Sequence, residues 1–403
     1  MENMKIVLVS YHYWPPYFGG ELIASIERFE SLIDLGHEVT VLTSGLDGYP
    51  EEELLKGIRV IRGSEIGKSK IARGVRRLLF PFWAAARIYR QHFDIIHLAD
   101  TGGIDSLSKN LGSWLICMLG KLRKIKIVFV HSLADTEQEM FTEKGFDRQL
   151  RKFYLNQCDA IVSVSPALHS AVKRYYSRSS RLIPYGVHDD IFSPLSAPEK
   201  KEHRARFGLS SQDIVFTFLG TVGYRKGFDL LADVFLENIE NHPDWQLWVI
   251  GPISKSENQN VDEKEVATLI SPLQQRADKV RFWGRMNDRL QLSLLLAMSD
   301  VFVFPSRKEG FGIAPLEAMC AGVPVIISKI PGVTDLANID QLTGFYIEVG
   351  SRDSLKDAMK KLALDPALRL RLGKSAHERI LSKFSWQSYI QKWECMYYSL
   401  LDY

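Results

Sequence analysis

Residues 305–325 read Pro305-Ser306-Arg307-Lys308-Glu309-Gly310-Phe311-Gly312-Ile313-Ala314-Pro315-Leu316-Glu317-Ala318-Met319-Cys320-Ala321-Gly322-Val323-Pro324-Val325. An apolar run, Val301 to Phe304, precedes them and reads as a buried parallel strand. Glycines then interrupt the chain before a helical pattern begins, which places Glu309 and Glu317 at the carboxyl end of a strand beside a helix N-terminus. In open α/β sheets ligands bind at that edge, where unpaired N–H groups and the positive end of the helix dipole face outward. Gly310 and Gly312 carry no Cβ to hold a ligand off those N–H groups, and Pro315 suits a first helical turn. The bland alternative makes Glu309 a solvated loop residue and Glu317 an ordinary helix carboxylate.

Apolar, strand-like runs alternate with helical patterns on both sides of this stretch. The first half predicts strands over 5–10, 38–43, 58–61, 94–98, 126–130, 160–164 and 181–183, and the second over 214–219, 246–250, 280–282, 301–304 and 323–328. Between the halves, residues 192–201 are rich in Ser, Pro and charge, as a linker is. The pattern predicts an α/β protein of two Rossmann-like domains, with parallel sheets facing each other across a cleft. The polar, aperiodic segment 255–265 reads as a mobile surface loop.

With 403 residues the chain is long enough for two domains, and its 46% apolar and 25% charged residues are ordinary for a soluble globular protein. Cys117, Cys158, Cys320 and Cys395 are widely spaced, with no CxxC pair, which argues against a disulfide framework or a zinc site and for a reducing cytoplasm. No signal-peptide layout and no apolar run of transmembrane length is visible, so the expected location is cytoplasmic, at most peripheral on the inner face of the cell membrane. The net charge of +3 comes from the first half, where 25 basic residues face 22 acidic ones over 1–190, against 26 and 26 over 191–403. Much of the excess is Lys68, Lys70, Arg73, Arg76, Arg77, Arg87 and Arg90, with Leu78, Leu79, Phe80, Phe82 and Trp83 among them. Such a stretch suits a helix with a solvated basic face and a core-facing apolar one, and it also suits an anionic membrane surface.

Three further groups fall near predicted strand ends. Arg225 and Lys226 follow the strand over 214–219 and a glycine turn, where fixed positive charge can meet phosphate oxygens. Gly19 and Gly20 open a helix after the first strand, without the three-glycine spacing of a dinucleotide fingerprint. His131 ends the strand over 126–130, and His12 and His97 end others and read as structural. No Asp-x-Asp occurs, so a metal-bridged diphosphate is not supported.

The spacing Glu309-x7-Glu317, with Ala318-Met319-Cys320-Ala321-Gly322-Val323-Pro324-Val325-Ile326 after it, resembles the donor-site signature of family-4 retaining glycosyltransferases of the GT-B fold. The resemblance extends over almost the whole chain, through Gly19-Gly20, Gly36-His37-Glu38-Val39-Thr40-Val41, Ser163-Val164-Ser165, Ile183-Pro184-Tyr185-Gly186-Val187, Lys226-Gly227 and Phe384-Ser385-Trp386. It implies an acceptor-binding domain over 1–190, a nucleotide-sugar domain over 191–385 and a final helix, 386–403, crossing back to the first domain. By the same resemblance Glu317 holds ribose hydroxyls, while Glu309 and the N–H groups of Phe311, Gly312 and Ile313 read the donor sugar. Lys226 grips the diphosphate, Arg285 lies near the base, and His131, with Gly19 and Gly20, approaches the sugar. Family members commonly carry arginine where this chain has Thr221, and Arg225 is the expected substitute.

The resemblance implies a retaining, metal-independent transferase that takes a nucleoside-diphosphate sugar as substrate and needs no cofactor. Its acceptor is a glycan or lipid-linked molecule, as in cell-surface polysaccharide or glycolipid synthesis, and no nucleic acid is involved. A GT-B nucleotide-sugar epimerase and a non-catalytic nucleotide-sugar-binding paralogue are the alternatives.

Overall fold

The computed structural model describes residues 2–13, 20–45, 48–63, 70–99, 106–131, 145–258, 261–332 and 342–401. Within them the side chains of a few residues, Arg73, Arg76 and Arg77 included, are outside the description. The chain divides into two compact units, Met1–Tyr185 with Tyr389–Tyr403, and Gly186–Ser388.

The first unit runs β1 (Lys5–Val9), α1 (Gly20–Asp34), β2 (Glu38–Thr43), β3 (Glu52–Leu55), β4 (Ile58–Arg62), α2 (Lys70–Arg90), β5 (Ile95–Ala99), α3 (Ser106–Leu122), β6 (Lys126–His131), α4 (Gly145–Gln157), β7 (Ala160–Ser163), α5 (Pro166–Tyr176) and β8 (Arg181–Leu182). Its sheet has the order β3-β4-β2-β1-β5-β6-β7-β8. Chain order reverses between β1, which pairs Ile6 with Val39 of β2, and β5, which pairs Ile95 with the same Ile6. The sheet is not wholly parallel as predicted, because β3 pairs antiparallel with β4. Lys56 and Gly57 connect the two strands with φ of +50° and +81°, the signs a two-residue hairpin turn requires. Three consecutive glutamates concealed this strand, whose charges suit a sheet edge.

Helix α2 buries Phe80, Ala84 and Ile88. The side chains of Lys70, Arg73, Arg76 and Arg77, on which a basic face would rest, lie outside the description, and the face opposite the buried one is apolar in part. Val75, Leu78, Leu79, Phe82 and Tyr89 stand exposed there, Leu78 at 54% and Phe82 at 56%. Arg87 lies over the Trp83 ring and Arg90 is exposed. No described helix is long and apolar enough to cross a membrane.

The C-terminal helix, Trp386–Leu401, buries Tyr389, Trp393 and Tyr397 in the first unit. What they enclose is Arg28 of α1, whose guanidinium lies 4.1 Å from the Trp393 ring centroid and donates to the Tyr389 hydroxyl at 3.3 Å. Arg28 Nη2 also stands 3.4 Å from His97 Nε2, and His97 Nδ1 is 2.9 Å from the Tyr397 hydroxyl. A guanidinium only donates, so Nε2 of a neutral His97 accepts and Nδ1–H donates to Tyr397. Burial, and then the Arg28 charge, hold His97 well below its ordinary pKa.

The second unit runs α6 (Ala197–Arg206), β9 (Ile214–Leu219), a 3-10 turn (Tyr224–Lys226), α7 (Phe228–Asn238), β10 (Trp245–Ile250), α8 (Glu263–Gln274), β11 (Val280–Gly284), α9 (Arg289–Met298), β12 (Val301–Phe304), α10 (Ile313–Cys320), β13 (Val325–Ser328), β14 (Gly344–Ile347), α11 (Arg352–Leu364) and α12 (Pro366–Lys383). All its strands are parallel, in the order β11-β10-β9-β12-β13-β14. Phe216, Phe218, Phe228, Phe235 and Trp245 fill its core. Strand β14 was missed in the sequence. Of the segment 255–265, read as a surface loop, Glu257 accepts from Ile253 N at 2.8 Å, Val261 is buried and Glu263–Glu265 begin α8, while Gln259 and Asn260 lie outside the described residues.

The His97 arrangement sets a pH dependence. Unfolding restores a histidine titrating near 6.5, so below that pH the unfolded chain binds a proton that the folded unit refuses. The stability present above that pH is lost as pH falls, by about 1.4 kcal/mol per unit until the folded pKa is reached. Urea midpoints of the first unit's transition at pH 7.5, 6 and 5 are expected to fall in the wild type and to flatten in His97→Gln.

Candidate active site

The second sheet reverses its chain order between β9 and β12, so the loops leaving their carboxyl ends diverge and open a crevice. Both loops carry candidate residues. After β9 the chain makes its 3-10 turn and enters α7 through Gly227, at φ +68°. A Cβ there would lie 1.9 Å from the Pro305 carbonyl oxygen, so only glycine lets the two loops touch. Arg307 N–H donates to Arg225 O at 2.9 Å, and its guanidinium grips Asp229 bidentately at 2.6 and 2.7 Å. The Asp229 hydrogen bonds raise the Arg307 pKa, against the opposing effect of burial.

The clamp brings Lys226 to Glu309, Nζ to Oε1, at 2.6 Å, with both side chains nearly enclosed at 15% and 10% exposure. Burial pulls the Lys226 pKa below its ordinary value, and the Glu309 charge partly restores it. Arg225 is exposed and reaches the same Oε1 at 3.4 Å and Lys308 O at 3.1 Å. Its guanidinium thus stands beside the pair in a chain that has Thr221 where an arginine was expected.

Gly312 caps α10 at φ +88°, with Phe311 buried just before it. As cap and first residue of the helix, Gly312 and Ile313 have N–H groups with no intrahelical carbonyl to bond. Glu317, in the second turn, is buried, and its Oε1 accepts from Arg289 Nη1 at 2.7 Å. Arg289 opens α9 behind the cap Asp288, and its guanidinium is 4.9 Å from the Phe192 ring centroid. Arg285 is turned toward the 254–258 segment, donating from N and Nη1 to Glu257 Oε1 and O at 3.1 and 2.7 Å and from Nε to Asn287 at 2.7 Å.

Two candidates lie in the first unit. His131 is the last residue of β6 and fully buried, its ring 4.7 Å from that of Phe129. Gly20 is the exposed first residue of α1, and Gly19 lies outside the described residues. No group of three His, Cys, Asp or Glu side chains suited to a metal occurs among the described residues. Sequence reasoning missed Arg289 and the Arg307–Asp229 clamp. An arginine at a helix start or in a polar loop reads as solvated, and nothing local shows a partner 28 or 78 residues away.

Two family models cover the two halves, Glycosyltransferase Family 4 over residues 27–191 and Glycosyl transferases group 1 over 199–379. The chain belongs to the family-4 glycosyltransferases. Its relatives include a capsular polysaccharide biosynthesis glycosyltransferase, CapM of Staphylococcus aureus, 29% identical over 69% of this chain and 71% of that one. Among solved structures, sucrose-phosphate synthase of Thermosynechococcus elongatus matches 99% of this glycosyltransferase and 100% of its own chain, with TM-score 0.81 and 22% identity. Anabaena HepE in complex with UDP and glucose matches 98% and 100%, with TM-score 0.75 and 16% identity. These likenesses show the GT-B fold.

Gly227→Ala tests the loop contact. Gly208, at φ +73° with open space around its Cβ position, is the control. Gly208→Ala is expected to cost about 1–2 kcal/mol of backbone strain. Gly227→Ala adds a collision with backbone that no rotamer relieves, so a larger fall in Tm and loss of nucleotide binding are expected. Equal melting curves for the two variants overturn the packing argument.

Proposed function

We propose that this glycosyltransferase moves a sugar from a nucleoside-diphosphate sugar, with retention of configuration, to a glycan or lipid-linked acceptor in polysaccharide or glycolipid synthesis. The observation that carries the reading is the Lys226–Glu309 pair at the β9/β12 reversal, with Arg225 beside it. A diphosphate entering there meets two cations and the N-terminus of α10, which neutralise the leaving charge without a bridging metal. Lys226 shifts its hydrogen bonds toward the phosphate, and Glu309 then accepts from sugar hydroxyls beside the N–H groups of Phe311, Gly312 and Ile313. Glu317 accepts from the ribose. The bond from the anomeric carbon to phosphate breaks, the acceptor oxygen bonds the same face, and its proton passes to the departing phosphate oxygen. His131 and Gly20 belong to the unit that takes the acceptor in this reading. The capsular relative, and a GT-B neighbour holding UDP and glucose, support the acceptor and donor classes.

Glu317→Ala is expected to weaken nucleotide binding about tenfold with little change in kcat, because a ribose contact serves ground and transition states alike. Glu309→Ala is expected to lower kcat about a hundredfold, through loss of a contact to the reacting sugar. A thermal-shift screen with UDP, GDP and ADP identifies the base, a saturating ligand adding roughly 2–4 kcal/mol. Activity should survive EDTA and collapse in Lys226→Ala. Loss on chelation with recovery in Mg²⁺ overturns the diphosphate assignment, and C2-inverted sugar released without acceptor points to an epimerase.

The exposed apolar face of α2, on a helix with basic residues at 70, 73, 76, 77, 87 and 90 and no acid, supports peripheral docking on an anionic membrane. Each basic residue near such a surface contributes about 1 kcal/mol, screened by salt, whereas inserted apolar side chains are not screened. Co-sedimentation with anionic liposomes is expected to weaken with salt, to drop when Arg73, Arg76 and Arg77 become Glu, and to lose its salt-resistant part in Leu78→Asp/Phe82→Asp. Protein left in the supernatant at low salt makes a soluble acceptor the reading.

A further inference from the structure

Glu317 is an unusual group to leave in wait for a sugar hydroxyl. Its side chain is 6% exposed, and a buried carboxylate without compensation either turns toward water or takes up a proton. The compensation here is one bond from Arg289 Nη1 to Oε1 at 2.7 Å, and among the described residues Oε2 accepts nothing. Arg289 is itself held from two sides. The Asp288 carboxylate accepts from Leu290 N and Gln291 N at 2.9 and 3.2 Å and fixes the helix start, and the Phe192 ring supports the guanidinium.

We propose that Arg289 is the positioning residue for Glu317, holding one carboxylate oxygen so that the other is kept aimed at the ribose hydroxyls of the donor nucleotide. This rests on the reading of Glu317 as the ribose acceptor. A guanidinium suits the task because it keeps its charge at any working pH and offers rigidly placed donors. A solvated acid facing a ribose would turn among several rotamers and lose part of its affinity to ordering. The neighbouring acid is built differently, since Glu309 is paired to a lysine that the diphosphate can draw away.

The test compares the nucleoside diphosphate that gives the largest thermal shift among UDP, GDP and ADP with its 2′,3′-dideoxy analogue, by calorimetry. Wild type should bind the hydroxyl-bearing ligand about tenfold more tightly, one charge-assisted hydrogen bond's worth. Arg289→Ala should lose most of that preference and leave binding of the dideoxy analogue unchanged. Arg289→Lys should restore part of it, and Arg289→Ala/Glu317→Ala should be no worse than Glu317→Ala. If Glu317→Ala abolishes the preference and Arg289→Ala does not, the positioning role is wrong and the ribose reading stands. Equal loss for both ligands in Arg289→Ala makes Arg289 a structural or phosphate residue and overturns the inference. A preference that survives Glu317→Ala, or no binding of any of the three nucleotides, removes the ribose reading and this inference with it.

Discussion

The contact between the turn after β9 and the loop after β12 is the constraint on which the site depends. Parallel strands on either side of a reversal send their following elements to opposite faces of the sheet, so nothing in the topology alone brings their loops together. Gly227 against the Pro305 carbonyl does so at backbone level, and the Arg307–Asp229 fork locks the approach. Lys226 and Glu309 meet as a consequence, in surroundings dry enough to lower the lysine pKa. Charges thus held are stronger than the same charges in water, and they need no reorganisation when a ligand arrives.

Two carboxylates in one motif end in two environments. Glu309 pairs with a flexible ammonium whose allegiance can change, whereas Glu317 pairs with a guanidinium wedged against an aromatic ring. The difference follows from the elements supplying the cations. Lys226 stands in a short turn, and Arg289 stands on a capped helix.

The first unit solves another problem. A helix from the far end of the chain completes it, and the seam is polar at its centre. Arg28, His97, Tyr389 and Tyr397 are buried together, and an apolar seam would have been simpler to satisfy. Buried polar groups are costly where they lose partners, so a shift in the register of the C-terminal helix that broke these bonds would be penalised. The exposed apolar face of α2 is the opposite case, hydrophobic surface that the unit's own core leaves uncovered.

Much of this was readable in the sequence. Runs such as 301–304 and 214–219 are apolar throughout because parallel strands are covered on both faces, and glycines mark the loops at their carboxyl ends. The sequence by itself therefore determined the two α/β halves, the crossing back of the final helix by resemblance, and the stretch in which the candidate acids and cations lie. It did not show β3, whose glutamates mask a hairpin edge, or β14, a four-residue strand with glycine at its start. Nor could it show which cation meets which acid. Lys226 finds Glu309 across 83 residues, Arg289 finds Glu317 across 28 and Arg28 finds His97 across 69. Periodicity records only what each residue faces along its own strand or helix. Partnership across the chain is decided by strand order and by how closely two backbones pack, and those belong to the tertiary structure alone.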